Sequence, residues 1–541
     1  MTPKELRGLA ERLFSNRTTL MLLWQEQAEN FYPERADFTV RRVLGTDFAA
    51  GLMTSYPIIC RRELADQTGT MLRPTAKQWF HMEPKFKTQV DHNARRYLEW
   101  ATGTMRRAMY DPVSKFTRAM KEGDNDFSTF GQTVLSVELN RTREHLLYRC
   151  WHLRDVVWME NQDGNICFVA RRWKLAASDA VRLFRNKLDP RVLEIARKRP
   201  DEEINLMHFV CEAEMYDASA GSKPRWSVYY DCDREVQIEA TAIWGRIYRI
   251  PRWQTVSGSQ YAYSPATVAA LPDARLLQAM TLTLLEAGEK LVNPPVLATV
   301  DVVRSDVALY AGGITWIDKE YDEKLGEALR PLTQDHRGMP LGQEMVRDTR
   351  TLIMHAFYLN KLNLPQRAAE MTAYEVGQRI QEYIRGALPL FEPMEMDYNG
   401  GICEETFEVM QRAGGFGSPH DMPESLRDTE VQFGFVSPLH DAISEQKGQK
   451  FLEMKGLTAE AIALDRNAAG VPDTIVAFRD ALAGIGVPAK WVRSESEAEA
   501  MQQRADAEAE TAKMLAAATA SSEVAANLGA AQRDMAQAQA A

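Results

Sequence analysis

Apolar positions in the first part of the chain recur at intervals of three and four. Leu6, Leu9, Leu13, Leu20, Leu23 and Trp24 predict one or two helices over residues 3–30, broken at "FYPERADF". "FAAGLMTSY" (Phe48–Tyr56) predicts a short local helix. "NARRYLEWATGTMRRAMY", from about Asn93, predicts a long one closed by Asp111–Pro112. From about Asp126 the spacing changes. "FSTFGQTVLSVEL" turns to the alternation of a strand, and "DVVWMENQDGNICFVARRW" (Asp155–Trp173) reads as a hairpin around Asp163–Gly164. "AASDAVRLF" returns to helix, and "HFVCEAEMY" and "RWSVYYDCDREVQIEA" read as further strands. The first half is therefore α+β.

The longest helical pattern runs from Pro265 to Val292, with Leu276, Leu277, Met280, Leu284, Leu285 and Leu291 as its apolar stripe. "NPP" (Asn293–Pro295) stops it. Short strands are expected around Gly312–Gly313. A second long helix is expected from about Leu341 to Lys361, so two long helices enclose a β-containing insert. Next, "MTAYEVGQRIQEY" (Met371–Tyr383) opens with Thr372 and, three residues on, Glu375. This is the capping-box spacing, in which each side chain satisfies the other's free backbone N–H. Helices are expected to continue to about Gly414. "VQFGFVSPL" is a strand, and "AGVPDTIVAFRDALAGIGVPAKWV" a helix with Pro-marked turns. From Ser494 to Ala541 the chain is rich in Ala, Glu and Gln, a good helix former with too few apolar positions to bury alone.

Composition narrows the class. The 541 residues are 45% hydrophobic and 26% charged, as in an ordinary globular protein, and long enough for several domains. A net charge of −10 argues against tight, salt-driven DNA binding, which needs clustered Lys and Arg. The six cysteines stand far apart with no C-x-x-C pair, which predicts reduced thiols rather than a zinc site or disulfide framework. The start has no signal-peptide core, and no run of about 18 apolar residues predicts a membrane span.

No motif for chemistry stands out. The P-loop, G-x-S-x-G, H-E-x-x-H and G-x-G-x-x-G patterns are all missing, and the nine His residues form no i,i+4 ligand pair. His208 reads as a packed strand residue. Asp231 and Asp233 read as partners in one turn or solvated face rather than a catalytic pair. "DNDF" (Asp124–Phe127) reads as a helix cap rather than a metal site. The acidic run "DKEYDEK" (Asp318–Lys324) reads either as solvated surface or as a partner-facing tip. Lys361 and Arg367, around the loop before Thr372, read either as an ordinary connector or as a weak polyanion contact.

The order of these segments resembles the portal, or head-to-tail connector, proteins of short-tailed (podovirus) bacteriophages. Trp24 followed by Tyr32–Pro33, "FAAGLMTSYPI", "KQWFHM", "DFSTFGQTVLSVE", "PATVAALPDARLLQAMTLTLLEAGEKLVNPPVLA", "YAGGITWID", "IMHAFYLNKL", "MTAYEVGQRIQEY", "FVSPLHDAISEQ" and "LDRNAAGVPDTIVAFRDALAGIGVPAKWVRS" follow one another collinearly over nearly the whole chain. Pro272, near the start of the first long helix, departs from the pattern.

The resemblance implies a mainly helical α+β portal fold. It assigns residues 1–264 to a wing, 265–292 and 341–360 to stem helices, and 293–340 to a clip. Residues 361–371 become a tunnel loop, 372–493 a long wing helix and crown, and 494–541 a barrel helix. It implies a ring of about twelve subunits at one capsid vertex of the virion, assembled in the host cytoplasm. Such a ring is a conduit for double-stranded DNA in packaging and ejection. It carries on the order of −120 formal charge, which disfavours retention of the duplex. Lys361, Asn363, Gln366 and Arg367 would face the channel. Asp318, Lys319, Glu320, Asp322 and Glu323 would meet partners at the clip. The implied partners are the terminase large subunit, which supplies ATP hydrolysis, and tail adaptor, scaffolding and capsid proteins, with no membrane, metal, cofactor or enzymatic activity. A different structural virion protein, of the tail or scaffold, and a DNA-processing enzyme are the alternatives.

Overall fold

The computed structural model describes the chain apart from residues 42, 44, 46, 86–90, 218–220, 299–315, 317–328, 332–337, 363–393, 419–420, 428, 436–450, 462, 464–470, 485–486, 488–490, 494–496, 499 and 515–541. It divides into two compact units. The larger holds Met1–Phe80, Thr104–Gly417 and Phe435–Leu439; the smaller holds His81–Gly103, Ser418–Gly434 and His440–Ala541.

The chain opens with helices α1 (Pro3–Asn16) and α2 (Thr18–Phe31), then α3 (Tyr56–Leu72). Strand β1 (Phe80–Pro84) leads to α4 (His92–Met109) and α5 (Phe116–Phe130). Next come β2 (Val134–Leu139), β3 (Leu146–Trp151), β4 (Val156–Glu160) and β5 (Ile166–Ala176). After α6 (Ala177–Phe184) and α7 (Pro190–Lys198) follow β6 (Glu203–Glu212), the short α8 (Ala213–Tyr216), β7 (Arg225–Asp231), β8 (Val236–Ile243) and β9 (Tyr248–Arg249).

In the larger unit β4 to β8 form one antiparallel sheet in sequence order, and β3-β2-β9 form a second. The central strand β6 is buried on both faces. Leu206 packs with Phe184 and Val192 of α6 and α7, while Phe209 packs with Leu6 and Ala10 of α1. A strand covered on both sides needs no polar face, so its buried run is nearly continuous rather than alternating. Trp24 of α2 joins Phe38, Phe130, Trp158 and Tyr248 in a third cluster, with Trp24 and Phe38 ring centroids 5.6 Å apart.

Two expectations for the first half change. Residues 48–55 are not helical; α3 begins at Tyr56, with Pro57 in its first turn. The side chain of Gln278 accepts from the backbone N–H groups of Met53 and Thr54, so that segment is satisfied without a helix. The second change concerns "DNDF". Asp124–Phe127 lies inside α5 and caps nothing, and the strand expected from about Asp126 starts only at Val134.

The reason is an ionic cluster. Asp124 pairs with Arg73, both nearly inaccessible, and Arg73 Nη1 donates to Asn399 Oδ1 at 2.7 Å. Asp126 accepts from Arg35 Nη2 at 2.8 Å. Asn125 accepts from Arg61, whose Nε donates to the Phe31 carbonyl at 3.1 Å. The buried part of α5 thus combines an apolar row (Phe116, Ala119, Met120, Phe127, Phe130) with Asp124, Asp126, Ser128 and Thr129, and α3 buries Arg61 and Thr68 beside Cys60, Leu64 and Leu72. Gly131 ends α5 at φ +75°, and a Cβ there would stand 2.4 Å from the Tyr263 carbonyl carbon.

The other polar residues singled out from the sequence are structural. His208 is buried on β6, stacked 4.1 Å from Tyr229 and bonded to Tyr248 Oη (2.7 Å) and Ser227 Oγ (2.8 Å). Asp231 is buried rather than solvated; it pairs with Arg234 at 2.9 Å and holds the β7–β8 turn. Asp233 caps the Asn205 backbone N–H at 2.9 Å. No group of three or more His, Cys, Asp or Glu poised for a metal occurs among the described residues.

In the smaller unit, β1 carries His81 close to Gly434, and the Lys85 backbone N–H donates to the Glu430 carbonyl at 2.8 Å. Residues 451–461 and 500–514 are helical, the latter fully exposed.

The cluster carries the first prediction. Asp124→Ala leaves Arg73 buried without its carboxylate, so the unfolding free energy should fall by about 3–5 kcal/mol, measured by denaturant titration. An apolar double replacement, Arg73→Met with Asp124→Leu, should recover most of that loss.

The buried histidines carry a second. Burial lowers the pKa of His208 well below the ordinary value and, against the pull of Asp37, also lowers that of His152, which favours the neutral form of both in the folded chain. The unfolded chain takes up these protons below about pH 6.5 and the folded chain only at lower pH, so stability is full above that pH and declines as it falls. The initial slope should be up to about 1.4 kcal/mol per pH unit for each histidine, read from denaturation midpoints between pH 7.5 and 5. His208→Asn should reduce it.

Candidate assembly interface

The pair of long helices is the feature that a single chain leaves incomplete. Strands β10 (Gln254–Thr255) and β11 (Ala262–Tyr263) lead into a wide π-turn at Ala266–Ala270 and then α9 (Leu271–Val292). Pro272 sits in the first turn of α9. It has no backbone N–H to donate, and the wider turn before it absorbs the mismatch without ending the helix. After α9, β12 (Val296–Ala298) pairs antiparallel with β13 (Leu329–Pro331), and α10 (Met339–Ala356) returns.

The helices pack closely where Gly342 meets Leu284; a Cβ on Gly342 would lie 2.9 Å from a Leu284 methyl. The first turns of α9 are anchored by Leu271, Ala274 and Leu277, all buried, and by Arg275, whose Nε and Nη2 reach both oxygens of Glu26 at 2.5 and 2.6 Å. Gln278 holds Thr54 through both its side-chain oxygen and nitrogen.

Beyond Leu277 no residue of α9 is fully buried. Of the six stripe residues only Leu277 is fully buried; Met280 and Leu284 are half-buried, Leu284 against Gly342 of α10. Leu276, Leu285 and Leu291 are about half exposed, as are Leu341, Met345 and Leu352 on α10. Ala266–Val292 is by length and composition apolar enough to cross a membrane, although only 22% of its most apolar window is buried, and this departs from the reading that no such span exists. Its ion pair with Glu26 and its side-chain bonds to Thr54 tie its start into the protein fold. The α10 face was not legible as an interface, because its apolar residues alternate with Arg347, Asp348 and Arg350.

The second long helix also ends earlier than expected. It stops at Ala356. Phe357 is buried, with its ring 5.5 Å from Phe31, and Tyr358 takes a left-handed backbone (φ +57°). A short α11 (Leu359–Leu362) follows, so the stretch ending at Lys361 is two helices at a break. Past residues 363–393, a π-turn at Glu395–Gly400 leads into α12 (Gly401–Arg412). Strand β14 (Val431–Phe435) and α13 (Thr474–Gly484) complete the series.

Asn363, Gln366 and Arg367 fall outside the described residues, as do Thr372 and Glu375 of the capping box and Asp318, Lys319, Glu320, Asp322 and Glu323. Lys361 lies in α11 by its backbone alone. Most of the insert between β12 and β13, and residues 515–541 of the tail, are likewise outside.

No curated protein matches the sequence. Among solved structures, a chain titled "Virion of native gene transfer agent (GTA) particle" matches at a TM-score of 0.34 and 8% identity, covering 77% of this chain and 91% of that one. A chain titled "Neck of empty GTA particle computed with C6 symmetry" matches at 0.34 and 9%, with the same coverage. A family profile described as bacteriophage head to tail connecting protein matches residues 3–493, nearly the full length. The chain therefore belongs to the bacteriophage head-to-tail connecting protein family.

Proposed function

We propose that this protein is a portal: about twelve copies close a ring at one capsid vertex, through which double-stranded DNA enters and leaves the head. One observation carries the ring. The pair α9–α10 is anchored at the start of α9, yet it presents Leu276, Leu285, Leu291, Leu341, Met345 and Leu352 uncovered. Full burial of such a side chain is worth about 1.5–3 kcal/mol and each is already about half buried, so neighbouring copies on the two sides of the pair together gain several times roughly half that. In this reading α9 and α10 are the stem, and the insert between them is the clip, which docks the terminase and later the tail adaptor. The Lys361–Met371 region is the tunnel loop.

The acidic total fits a conduit. A lumen that held phosphates strongly would stall the duplex, whereas a loop with Lys361 and Arg367 as its only cations touches it weakly. The chemistry of translocation then belongs to a separate motor, and this subunit contributes walls and docking faces.

Two measurements test the reading. Native mass measurement or axial electron microscopy of the purified chain should show a closed ring of about a dozen copies. Leu285→Lys should abolish the ring while changing the stability of the isolated chain by no more than about 0.5 kcal/mol, since Leu285 is half exposed in one copy. A stable monomer from the parent chain overturns the proposal. Lys361→Ala combined with Arg367→Ala should leave ring assembly intact and reduce DNA packaged or retained per particle. Normal packaging by that double variant removes the loop assignment alone.

A further inference from the structure

In "RIYRIPRW" arginines recur at every third position: Arg246, Arg249 and Arg252. The chain here runs through β9, and Arg225 opens the nearby strand β7. These four arginines, with Tyr248 and Asp397, line a cavity of about 190 Å³ in the larger unit.

Two of the four have carboxylate partners. Arg252 pairs with Glu160, and its backbone N–H donates to Asp397 at 3.1 Å. Arg249 Nη2 reaches Glu404 at 3.1 Å, and its Nε lies 3.4 Å from Glu405. Glu405 is almost wholly buried, and its other oxygen already accepts from the backbone N–H groups of Arg246 and Ile247 at 2.8 and 3.1 Å. Arg225 and Arg246 differ. Among the described residues the Arg225 side chain donates only to the Trp244 carbonyl, at 3.1 Å. Among the described residues no carboxylate stands within ion-pair distance of either guanidinium, and that of Arg246 makes no hydrogen bond. Burial, then the guanidiniums of Arg249 and Arg225, lowers the pKa of Arg246; burial lowers that of Arg225 against the pull of Glu405.

We propose that Arg225 and Arg246, with Arg249 and Arg252 beside them, bind a phosphate group carrying two negative charges, either the free ion or a phosphomonoester. Arginine is always charged, and its planar fork of donors matches the oxygens of phosphate. The four arginines face four carboxylates, but Glu160, Glu404 and Glu405 engage Arg252 and Arg249 and Asp397 accepts from the Arg252 backbone, so what a phosphate finds at Arg225 and Arg246 is two guanidinium forks that no carboxylate occupies. The proposal does not depend on the ring.

The test is thermal unfolding of the full chain in sodium phosphate against sodium chloride at equal ionic strength. A ligand that binds the folded state alone raises the midpoint with concentration. Phosphate should raise it and chloride should not, and Arg246→Gln should weaken the apparent phosphate affinity by roughly tenfold or more. In chloride Arg246→Gln should melt no lower than the parent, because the side chain has no bond to lose. Arg246→Lys should restore part of the phosphate response. Methyl phosphate separates the sources: a response equal to that of phosphate means the cavity admits an ester, and no response restricts it to the free ion. Equal midpoints in phosphate and chloride overturn the proposal, as does undiminished phosphate binding by Arg246→Gln.

Discussion

The larger unit is organised around charges removed from water. Arg73 with Asp124, Arg35 with Asp126, and Arg61 with Asn125 meet around one turn of α5. They tie it to α3, to the segment after α2, and to Asn399 in the π-turn before α12. A buried ion is tolerated only when every partner is present with good geometry. These segments are far apart in sequence, so none can shift independently without leaving a buried charge unpaired. A purely apolar contact would tolerate sliding; this one does not.

That rigidity bears on the long helices. The first turns of α9 are tied to α2 through Arg275 and Glu26, and Phe357, just after α10, packs on Phe31 of the same helix. Both ends of the helix–strand–strand–helix excursion therefore start from one well-determined place. Among the described residues beyond these anchors Leu285 and Leu291 of α9 and Leu341, Met345 and Leu352 of α10 are uncovered, as expected of a surface completed by identical neighbours. In the proposed ring the ionic cluster sets where each copy holds its share of the interface.

Much of the fold was legible where burial followed an apolar stripe or an alternating strand. The helices at 3–16, 18–31 and 92–109, the hairpin at 156–176 and the helix beginning at Leu271 all lie close to their expected positions. The misses at α3 and α5 have one cause: both helices bury Arg, Asp, Ser or Thr among their apolar residues, and a reading that equates buried with apolar finds the stripe interrupted there. The break at Phe357–Tyr358 was invisible for a different reason. The local sequence is compatible with an unbroken helix, and a contact with Phe31, remote in the chain, decides otherwise.

The sequence by itself determined the family, because a collinear string of landmarks survives where no single motif is specific, and it determined the pair of long helices, because their apolar spacing and the Asn293–Pro295 stop act locally. It also set the acidic balance that makes a weak hold on DNA plausible chemistry for a conduit. Only the tertiary structure decided which residues of α9 remain uncovered, that "DNDF" sits inside a helix, and that Arg225 and Arg246 share a cavity with no carboxylate within ion-pair distance among the described residues. Local spacing specifies an element and its candidate faces, but which face meets protein and which stays open depends on segments hundreds of residues away.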